Sequence, residues 1–531
     1  MSHSNIQILL AQFNASVGNV VENSQRILDT ITQHHQQFDL IVFPELALCG
    51  YPPADLLYQP DFLAEIDSHL QTIIAYPSKA KIVLGLPRLN NGSLFNALAF
   101  IDGKKVRFYD KRSLPNYSVF NESRYFTEGT TPFITFEIKE HRFGLLICED
   151  IWQQTPVAGL LQHHIDSIIC INASPYHQGK HLQRYEILKS IPKNIIYLNM
   201  VGGQDEIVFD GQSMVINAQG DVCAKAPGFK EALLPITLKN QQWSGPIAPA
   251  LATIEELYQA LQLGLSDFMR KNSISKVVLG LSGGIDSALT LAIASQALGP
   301  KKVHVLLMPS EYTAAMSIED AIAQAEKLGV SYDILPIDNH VEMFQKQLTQ
   351  SLGEAPNSIG AQNIQARIRG MLLMAYANQH QALLLSTSNK SESAVGYCTL
   401  YGDMCGGFAV IKDVYKTQVY QLAEHVNRED VIIPKRVITR PPTAELAPNQ
   451  TDQDALPPYD VLDAILIDFV ENRLSEKALL AKGFSQTLVQ EIYQKIKCSE
   501  FKRFQAAPGT KVSSVAFGKD WCFPISNAWK V

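Results

Sequence analysis

Long apolar runs are missing from this chain. Among its 531 residues, no uninterrupted apolar stretch reaches the roughly 20 residues that cross a bilayer, so no membrane partner is expected. No block of lysine and arginine stands out, and the formal net charge is −7. A nucleic-acid partner normally meets a basic face, so nucleic acid is not expected either. Cysteine is sparse and scattered. Cys49, Cys148, Cys170, Cys223, Cys398, Cys405, Cys498 and Cys522 form no C-x-x-C pair and no Cys/His cluster at zinc spacing. In a chain this long they read as reduced thiols rather than a disulfide framework. Met1 to Asn14 carries no basic run and only a brief apolar one, Ile8 to Ala11, unlike a secretory signal. The expected location is the cytoplasm. Internal repeats and low-complexity tracts are absent.

Hydrophobic residues make up 46% and charged residues 18%, an ordinary balance for a globular protein. The length exceeds what one core serves and predicts two or three domains. Strand-length apolar runs fill the first half: Ile6 to Phe13, Leu40 to Phe43, Lys81 to Leu86, Phe143 to Cys148, Ser167 to Ile171 and Asn194 to Met200. Amphipathic stretches such as Val20 to Gln36 and Lys180 to Ile191 lie between some of them. Asp102-Gly103 predicts a hairpin turn and Gln219-Gly220-Asp221 another. Residues 1–240 therefore read as a mixed α/β domain with some antiparallel pairing. Gln241 to Pro249 breaks periodicity with one glycine and two prolines, which predicts a linker over 241–252.

From 253 to 531 the pattern becomes strand, helix, strand, helix. Strands are expected at Lys276 to Leu281, Val303 to Pro309, Tyr332 to Ile337 and Ala382 to Ser386. Helices are expected at Ser287 to Leu298, Thr313 to Leu328 and Asn363 to Asn378. Such alternation implies a parallel sheet with helices on both faces. Ligands then bind beyond the carboxyl ends of the strands, near a switch in strand order.

The first of these strands runs through Gly280 and Leu281 into Ser282-Gly283-Gly284-Ile285-Asp286-Ser287. Adjacent glycines allow the backbone to present its N–H groups to an anion, and the following helix adds the positive end of its dipole. Ser282 and Ser287 offer hydroxyls to phosphate oxygens. Asp286 would repel phosphate, so its sensible role is a Mg²⁺ ligand. The loop is neither G-x-x-x-x-G-K-S/T nor G-x-G-x-x-G. Two glycines alone are equally explained by a tight strand-to-helix turn. The full S-G-G-x-D-S at a strand end resembles the pyrophosphate loop of N-type ATP pyrophosphatases, which split ATP into AMP and pyrophosphate.

A second string follows another strand end: Thr387-Ser388-Asn389-Lys390-Ser391-Glu392, then Ala394 to Asp403. Glu392 is a hard oxygen ligand able to share Mg²⁺ with Asp286. A helix N-cap at Ser388 or Asn389, with Glu392 in the first turn, explains the pattern as well. The string is similar to that of NAD⁺ synthetases. Further pieces occur in that family's order: Asn363 with Ala366-Arg367-Ile368-Arg369, Lys412 to Thr417, Pro442-Thr443-Ala444-Glu445-Leu446, Gln450-Thr451-Asp452-Gln453 and Phe501-Lys502-Arg503. The resemblance spans roughly Val277 to Arg503. It implies that Thr387, Lys416 and Thr443 contact ATP, and that Asn363, Arg367, Glu392, Asp403 and Lys502 hold deamido-NAD⁺. Leu400 and Phe501 depart from ammonia-dependent relatives, which tend to carry Lys and His there.

Three pieces of the first half stand at or near strand ends: Phe43-Pro44-Glu45-Leu46, Asp110-Lys111-Arg112-Ser113 and Cys148-Glu149-Asp150-Ile151-Trp152. A cysteine nucleophile needs a base and a way to stabilise an oxyanion. Glu45 can take the thiol proton, and Lys111 can face the developing charge. Alone, Cys148 reads as a small core residue. Ordered Glu, Lys and Cys with these flanks resemble the nitrilase superfamily across roughly Ile6 to Val222. That likeness implies an α-β-β-α sandwich, the triad Glu45, Lys111 and Cys148, and a glutamine pocket lined by Tyr117, Glu122, Ser174 and Lys180. Glu122 falls eleven residues after Lys111, where the superfamily places a second glutamate. Tyr51 either walls the pocket or packs in its Pro-rich turn.

A nitrilase-like α-β-β-α sandwich followed by a doubly wound parallel sheet resembles the glutamine-dependent NAD⁺ synthetases. The expected reaction is ATP-dependent amidation of deamido-NAD⁺ with ammonia from L-glutamine, through an adenylate. Mg²⁺ is the expected cofactor, ATP the co-substrate, and a homo-oligomer, at least a dimer, is expected by the same likeness. Two alternatives stay open: another acceptor for the same ATP chemistry, or an ammonia-dependent synthetase carrying an idle nitrilase-like scaffold.

Overall fold

Ile6, Ile8 and Leu10 point one way along the first strand and Leu9 and Ala11 the other, and both rows are buried. Side chains alternate between faces, so this strand is covered on both sides. The computed structural model describes residues 5–529 and supplies the two covers. In chain order the elements are β1 (Ile6–Gln12), α1 (Val20–His34), β2 (Leu40–Val42), α2 (Pro60–Ala75), β3 (Lys81–Asn90), β4 (Ser93–Asp102), β5 (Lys105–Asp110), β6 (Thr135–Ile138), β7 (His141–Ile147), α3 (Gln154–Leu161), β8 (Ser167–Asn172), α4 (Lys180–Lys189), β9 (Asn194–Asn199), β10 (Val201–Gln204), β11 (Ile207–Asp210), β12 (Met214–Ile216), β13 (Val222–Lys225), β14 (Ala232–Lys239) and β15 (Gln242–Ser244).

One sheet runs β15-β14-β1-β2-β3-β4-β5 and the other β13-β12-β9-β8-β7-β6. Ile8, Leu10, Val42 and Leu98 of the first share a core with Phe143, Leu145, Ile169 and Ile196 of the second. Leu9, Ile41, Ile82 and Leu84 face away from it and pack with Ile27 and Ile31 of α1 and Ile66, Leu70 and Ile73 of α2. Leu160 of α3 and Leu188 of α4 join the core of the second sheet. The result is an α-β-β-α sandwich. Both sheets have parallel centres, β1-β2-β3 and β7-β8-β9, with antiparallel flanks. Gly103 takes φ +61 in the turn between β4 and β5.

This unit ends at Thr253 and the next begins at Ile254. The segment read as a linker from residue 241 is thus corrected in part. Gln242–Ser244 pairs with β14, and Trp243 is buried in the inter-sheet core. An indole needs a large apolar site, and this one draws the chain back onto the sheet edge before it leaves.

The second unit contains α5 (Thr253–Lys271), β16 (Val277–Gly280), α6 (Ile285–Leu298), β17 (Val303–Leu307), α7 (Ala315–Leu328), β18 (Ser331–Ile334), α8 (Asp338–Leu352), α9 (Ser358–His380), β19 (Leu383–Ser386), α10 (Lys390–Val395), β20 (Phe408–Ala409) and α11 (Lys416–Val426), followed by short helices to Arg503. Its sheet is parallel throughout, in the order β18-β17-β16-β19-β20. The chain steps outward from β16 in one direction, then returns to β16's other side at β19. The glycine loop after β16 and the Thr387 segment after β19 therefore flank the switch point, where a crevice forms. In this unit two boundaries shift from expectation by more than two residues. Helix α9 begins at Ser358, capped by the Asn357 side chain on the Gly360 N–H. The strand expected to Ile337 ends at Ile334.

Candidate active sites

In the first unit, Glu45 follows β2, Lys111 follows β5 and Cys148 follows β7, so strand ends deliver all three side chains. Lys111 is fully buried. Its ammonium donates to Glu45 Oε1 (2.7 Å) and Glu122 Oε1 (2.8 Å). Burial would pull that amine down, but Glu122 and Glu45 outweigh it and hold it well above the usual lysine range. Glu45 also accepts from Asn96 Nδ2 at 2.7 Å and from the Ala173 N–H at 2.7 Å. Gly85 makes room for this carboxylate's backbone: a Cβ there would lie 2.4 Å from Pro44 O and 2.7 Å from Glu45 Cα. Cys148 opens a 3₁₀ turn, Cys148–Trp152, with φ +44. Its thiol is pushed well up by burial and then by Glu45, while Lys111 pulls it down. The resting sulfur is thus a protonated thiol beside a carboxylate and an ammonium.

Around this triad, Tyr51 donates to Glu122 Oε1 (2.8 Å) and packs edge-on against Phe120 and Phe209. Tyr51 is therefore packed and hydrogen-bonded where its turn places it. Tyr117 is half exposed and donates to Glu149 Oε2 at 2.9 Å. Lys180, the first residue of α4, sets its ammonium 4.2 Å over the Trp152 ring. Burial, then Arg184, lowers it to about 8. Ser174 is buried, and its hydroxyl already accepts from Arg184 Nε (3.1 Å). Arg184 in turn is paired with Asp210 at 2.8 Å, both fully buried. The four residues expected to line a glutamine pocket therefore lie around the triad, although Ser174 is engaged from behind. All eight cysteines are unpaired.

In the second unit, Gly283 takes φ +76, and a Cβ on it would lie 2.2 Å from Ser317 O. The Gly284 N–H donates to Ser282 Oγ (3.2 Å), and Ser287 Oγ donates to Gly284 O (2.9 Å). The two serines thus shape the loop as well as bordering it. Asp286 begins α6 beside Ile285. Its carboxylate accepts from Asn389 Nδ2 (2.9 Å) and from Lys416 Nζ (2.5 Å). Lys416 also reaches Glu392 Oε1 at 3.1 Å. Burial raises the Glu392 carboxyl to about 8, Lys416 pulls it back and Asp286 adds to the rise. Asn389 caps α10 by accepting from the Glu392 N–H, as the capping explanation of this string expects.

The remaining candidates divide. Thr399 donates to Asn363 Oδ1 (2.8 Å), Arg367 Nε donates to Leu400 O (3.2 Å), the Thr399 N–H donates to Asp403 (2.6 Å), and Lys502 Nζ donates to Gly396 O and Cys398 O (2.8 and 2.7 Å). Asn363, Arg367, Asp403 and Lys502 thus converge on segment 396–403. Burial lifts Asp403 to about 6. Glu392 shares the Lys416 ammonium with Asp286. Thr387 lies in the loop after β19. Thr443 turns its hydroxyl onto Gln450 O (2.5 Å) within its own loop.

Several polar residues of these sites escape sequence reading. Asn96 lies inside β4, and Arg184 and Asp210 meet across 26 residues. Asp452 sits within a quoted string without drawing notice, and Arg440 donates to Gly283 O (2.6 Å) from a loop 157 residues away. Among the described residues no group of three or more His, Cys, Asp or Glu is arranged to hold a metal, and no helix is long and apolar enough to cross a membrane.

Comparison with known proteins agrees with this division. Residues 8–244 match the carbon-nitrogen hydrolase family and residues 257–506 the NAD synthase family. The chain is 45% identical to the glutamine-dependent NAD(+) synthetase of Acinetobacter baylyi over 99% of each chain. It is 41% identical to that of Thermotoga maritima, again over 99% of each. A structure of the Acinetobacter baumannii enzyme in complex with ADP is similar at TM-score 0.80, with 41% identity and 98% of each chain covered.

Proposed function

Since the chain belongs to the glutamine-dependent NAD(+) synthetases, we propose that its two buried polar centres carry out the two halves of that reaction. The enzyme amidates deamido-NAD⁺ with ATP and glutamine-derived ammonia, and forms NAD⁺, AMP, pyrophosphate and glutamate. The observation that carries the residue assignment is the pair of constellations, one in each unit. Glu45, Lys111 and Cys148 stand together in the first; Asp286, Glu392 and Lys416 stand beside the glycine loop in the second.

In the glutaminase half, Glu45 takes the thiol proton as sulfur attacks the side-chain amide carbon of glutamine. The oxyanion that forms lies near the Lys111 ammonium, which is already held in place by two carboxylates, so little reorganisation is needed. The proton returns to the leaving nitrogen, ammonia departs, and water cleaves the thioester to glutamate. Tyr117, Glu122, Ser174 and Lys180 form the glutamine pocket. Lys180 suits the α-carboxylate, because it is a cation in a largely desolvated position.

In the synthetase half, the carboxylate of deamido-NAD⁺ attacks the α-phosphorus of ATP and displaces pyrophosphate. Gly280 to Ser287 border the phosphates, and the amides that open α6 donate to them. Thr387, Lys416 and Thr443 add contacts to ATP, and Asn363, Arg367, Asp403 and Lys502 hold the acceptor around segment 396–403. Asp286 and Glu392 fit a Mg²⁺ ion: two hard oxygen donors from different elements face one cationic point. With two protein carboxylates, the ion would take its other ligands from phosphate and water. When bound, it neutralises charge on the phosphates. Ammonia then attacks the adenylated carbonyl and releases AMP.

Products decide the reading. With glutamine, ATP and deamido-NAD⁺ supplied, NAD⁺ and AMP are expected, and the Cys148→Ala variant should lose turnover with glutamine while keeping it with added ammonium. Turnover only on XMP or tRNA would overturn the acceptor. Unchanged glutamine use by the variant would remove Cys148 from the mechanism.

A further inference from the structure

Asp150 is fully buried and stands two residues beyond the nucleophile, yet no step above uses it. Its four hydrogen bonds have a pattern. Oδ1 accepts from the backbone N–H groups of Arg112 (3.0 Å) and Ser113 (2.8 Å), and Oδ2 from Tyr109 Oη (2.9 Å) and the Ile147 N–H (3.3 Å). Three of these donors flank Lys111 in the chain, at positions −2, +1 and +2. The fourth immediately precedes Cys148. One carboxylate thus binds the chain on both sides of the lysine and the chain entering the nucleophile.

The backbone it holds needs holding. Cys148 adopts φ +44, which a side chain with a Cβ resists. The Ile147 N–H, which the turn itself leaves unsatisfied, bonds to Asp150 instead. On the lysine side, among the described residues, the Lys111 N–H to Asn96 O and the Gly129 N–H to Lys111 O bonds (both 2.8 Å) are the backbone ties of the residue itself. Glu45 and Glu122 hold its ammonium, and neither fixes it relative to the cysteine elbow.

We propose that Asp150 is a positioning residue of the glutaminase, setting the Lys111 ammonium against the Cys148 sulfur by tying together the segments that carry them. A misplacement of about 1 Å in such a site costs on the order of a hundredfold in rate. Ground-state binding of glutamine, which uses other side chains, changes less.

The inference rests on the Glu45, Lys111, Cys148 assignment, and the test separates the two. In the full-length enzyme, Asp150→Asn keeps the size and one acceptor but sets an amide N–H₂ toward either the Ile147 N–H or the pair at Arg112 and Ser113. Tyr109→Phe removes one tie without a cavity. The expected result for Asp150→Asn is a fall in glutamine-driven kcat of about tenfold to a hundredfold with KM for glutamine within about threefold. Ammonium-driven synthesis stays at the native rate, and the pH profile for alkylation of Cys148 by iodoacetamide moves to higher pH as the thiolate loses its cation. Tyr109→Phe should show the same displacement, smaller. A native alkylation profile in both variants overturns the proposal, as does a kcat within about twofold of native. If Cys148→Ala itself keeps glutamine turnover, the triad assignment fails first. If it loses turnover while Asp150→Asn does not, only the role of Asp150 fails.

Discussion

At the scale of single residues, two positions make the chemistry testable. Lys180 is lowered to about 8 from the ordinary 10.5 by burial and by Arg184, with Cys148, Glu149 and Asp210 pulling the other way. Its ammonium is therefore charged below about pH 8 and neutral above. If it binds the α-carboxylate of glutamine, KM for glutamine should be flat from neutral pH and climb through about 8, with ammonium-driven synthesis unaffected. Lys180→Arg keeps the charge at any such pH and should abolish that inflection; an inflection that survives the change would assign it to another group. Gly283 tests the other site. An L residue at φ +76 pays about 1–2 kcal/mol for left-handed backbone, and its Cβ would meet Ser317 O at 2.2 Å, a contact only backbone movement can relieve. Gly283→Ala is expected to remove ATP-dependent synthesis with either nitrogen source while leaving glutamine hydrolysis in place. Measuring glutamate release and AMP release separately resolves the two.

At the scale of elements, the phosphate loop is held from behind. Arg440 donates to Gly283 O at 2.6 Å and to Ser317 Oγ at 2.7 Å, and Ser317 donates to Glu445 at 2.6 Å. The loop after β16, the start of α7 and the segment bearing Thr443 are therefore tied together. A charged hydrogen bond is worth about 1.5–3 kcal/mol, so Arg440→Met should raise KM for ATP by roughly tenfold to a hundredfold, and Arg440→Lys by less. A KM for ATP within about twofold of native in Arg440→Met would show that the loop keeps its shape unaided. The elements themselves are largely legible in the sequence. Parallel strands buried on both faces read as continuous apolar runs, which is why β2, β7, β8 and β16 stand out. Helix α8 does not, because none of its residues is fully buried and little apolar patterning is imposed on it. The same reasoning divides the sites. Glu45, Lys111, Cys148 and the glycine loop directly follow strand ends, so local sequence announces them. Asn96 in mid-strand, Asp210 beneath Arg184 and Arg440 beside two prolines owe their roles to contacts with residues far away in sequence, and no local pattern encodes those.

At the scale of the whole molecule, each unit has its own apolar cores: Ile8, Val42, Phe143 and Ile196 lie in the first, and Val278, Leu306, Leu462 and Ile492 in the second. Trp243 shows where the division falls. It sits in a segment whose composition suggests a linker, yet it is buried against His141 and Phe143, and its indole N–H donates to Ser167 Oγ at 3.3 Å. It belongs to the glutaminase unit and secures that unit's last strand. Truncating such a side chain costs about 3–5 kcal/mol, a large share of the roughly 5–15 kcal/mol that holds a domain together. If the two units melt as separate cooperative structures, Trp243→Ala should lower the temperature at which glutamine-driven turnover is lost by roughly 10 °C. Ammonium-driven synthesis, which needs only the second unit's chemistry, should keep its native thermal profile. Recording both activities of the full-length variant after brief heating distinguishes the cases. A parallel fall of the two would mean that the synthetase depends on the folded glutaminase for its stability, and that the two cores unfold together.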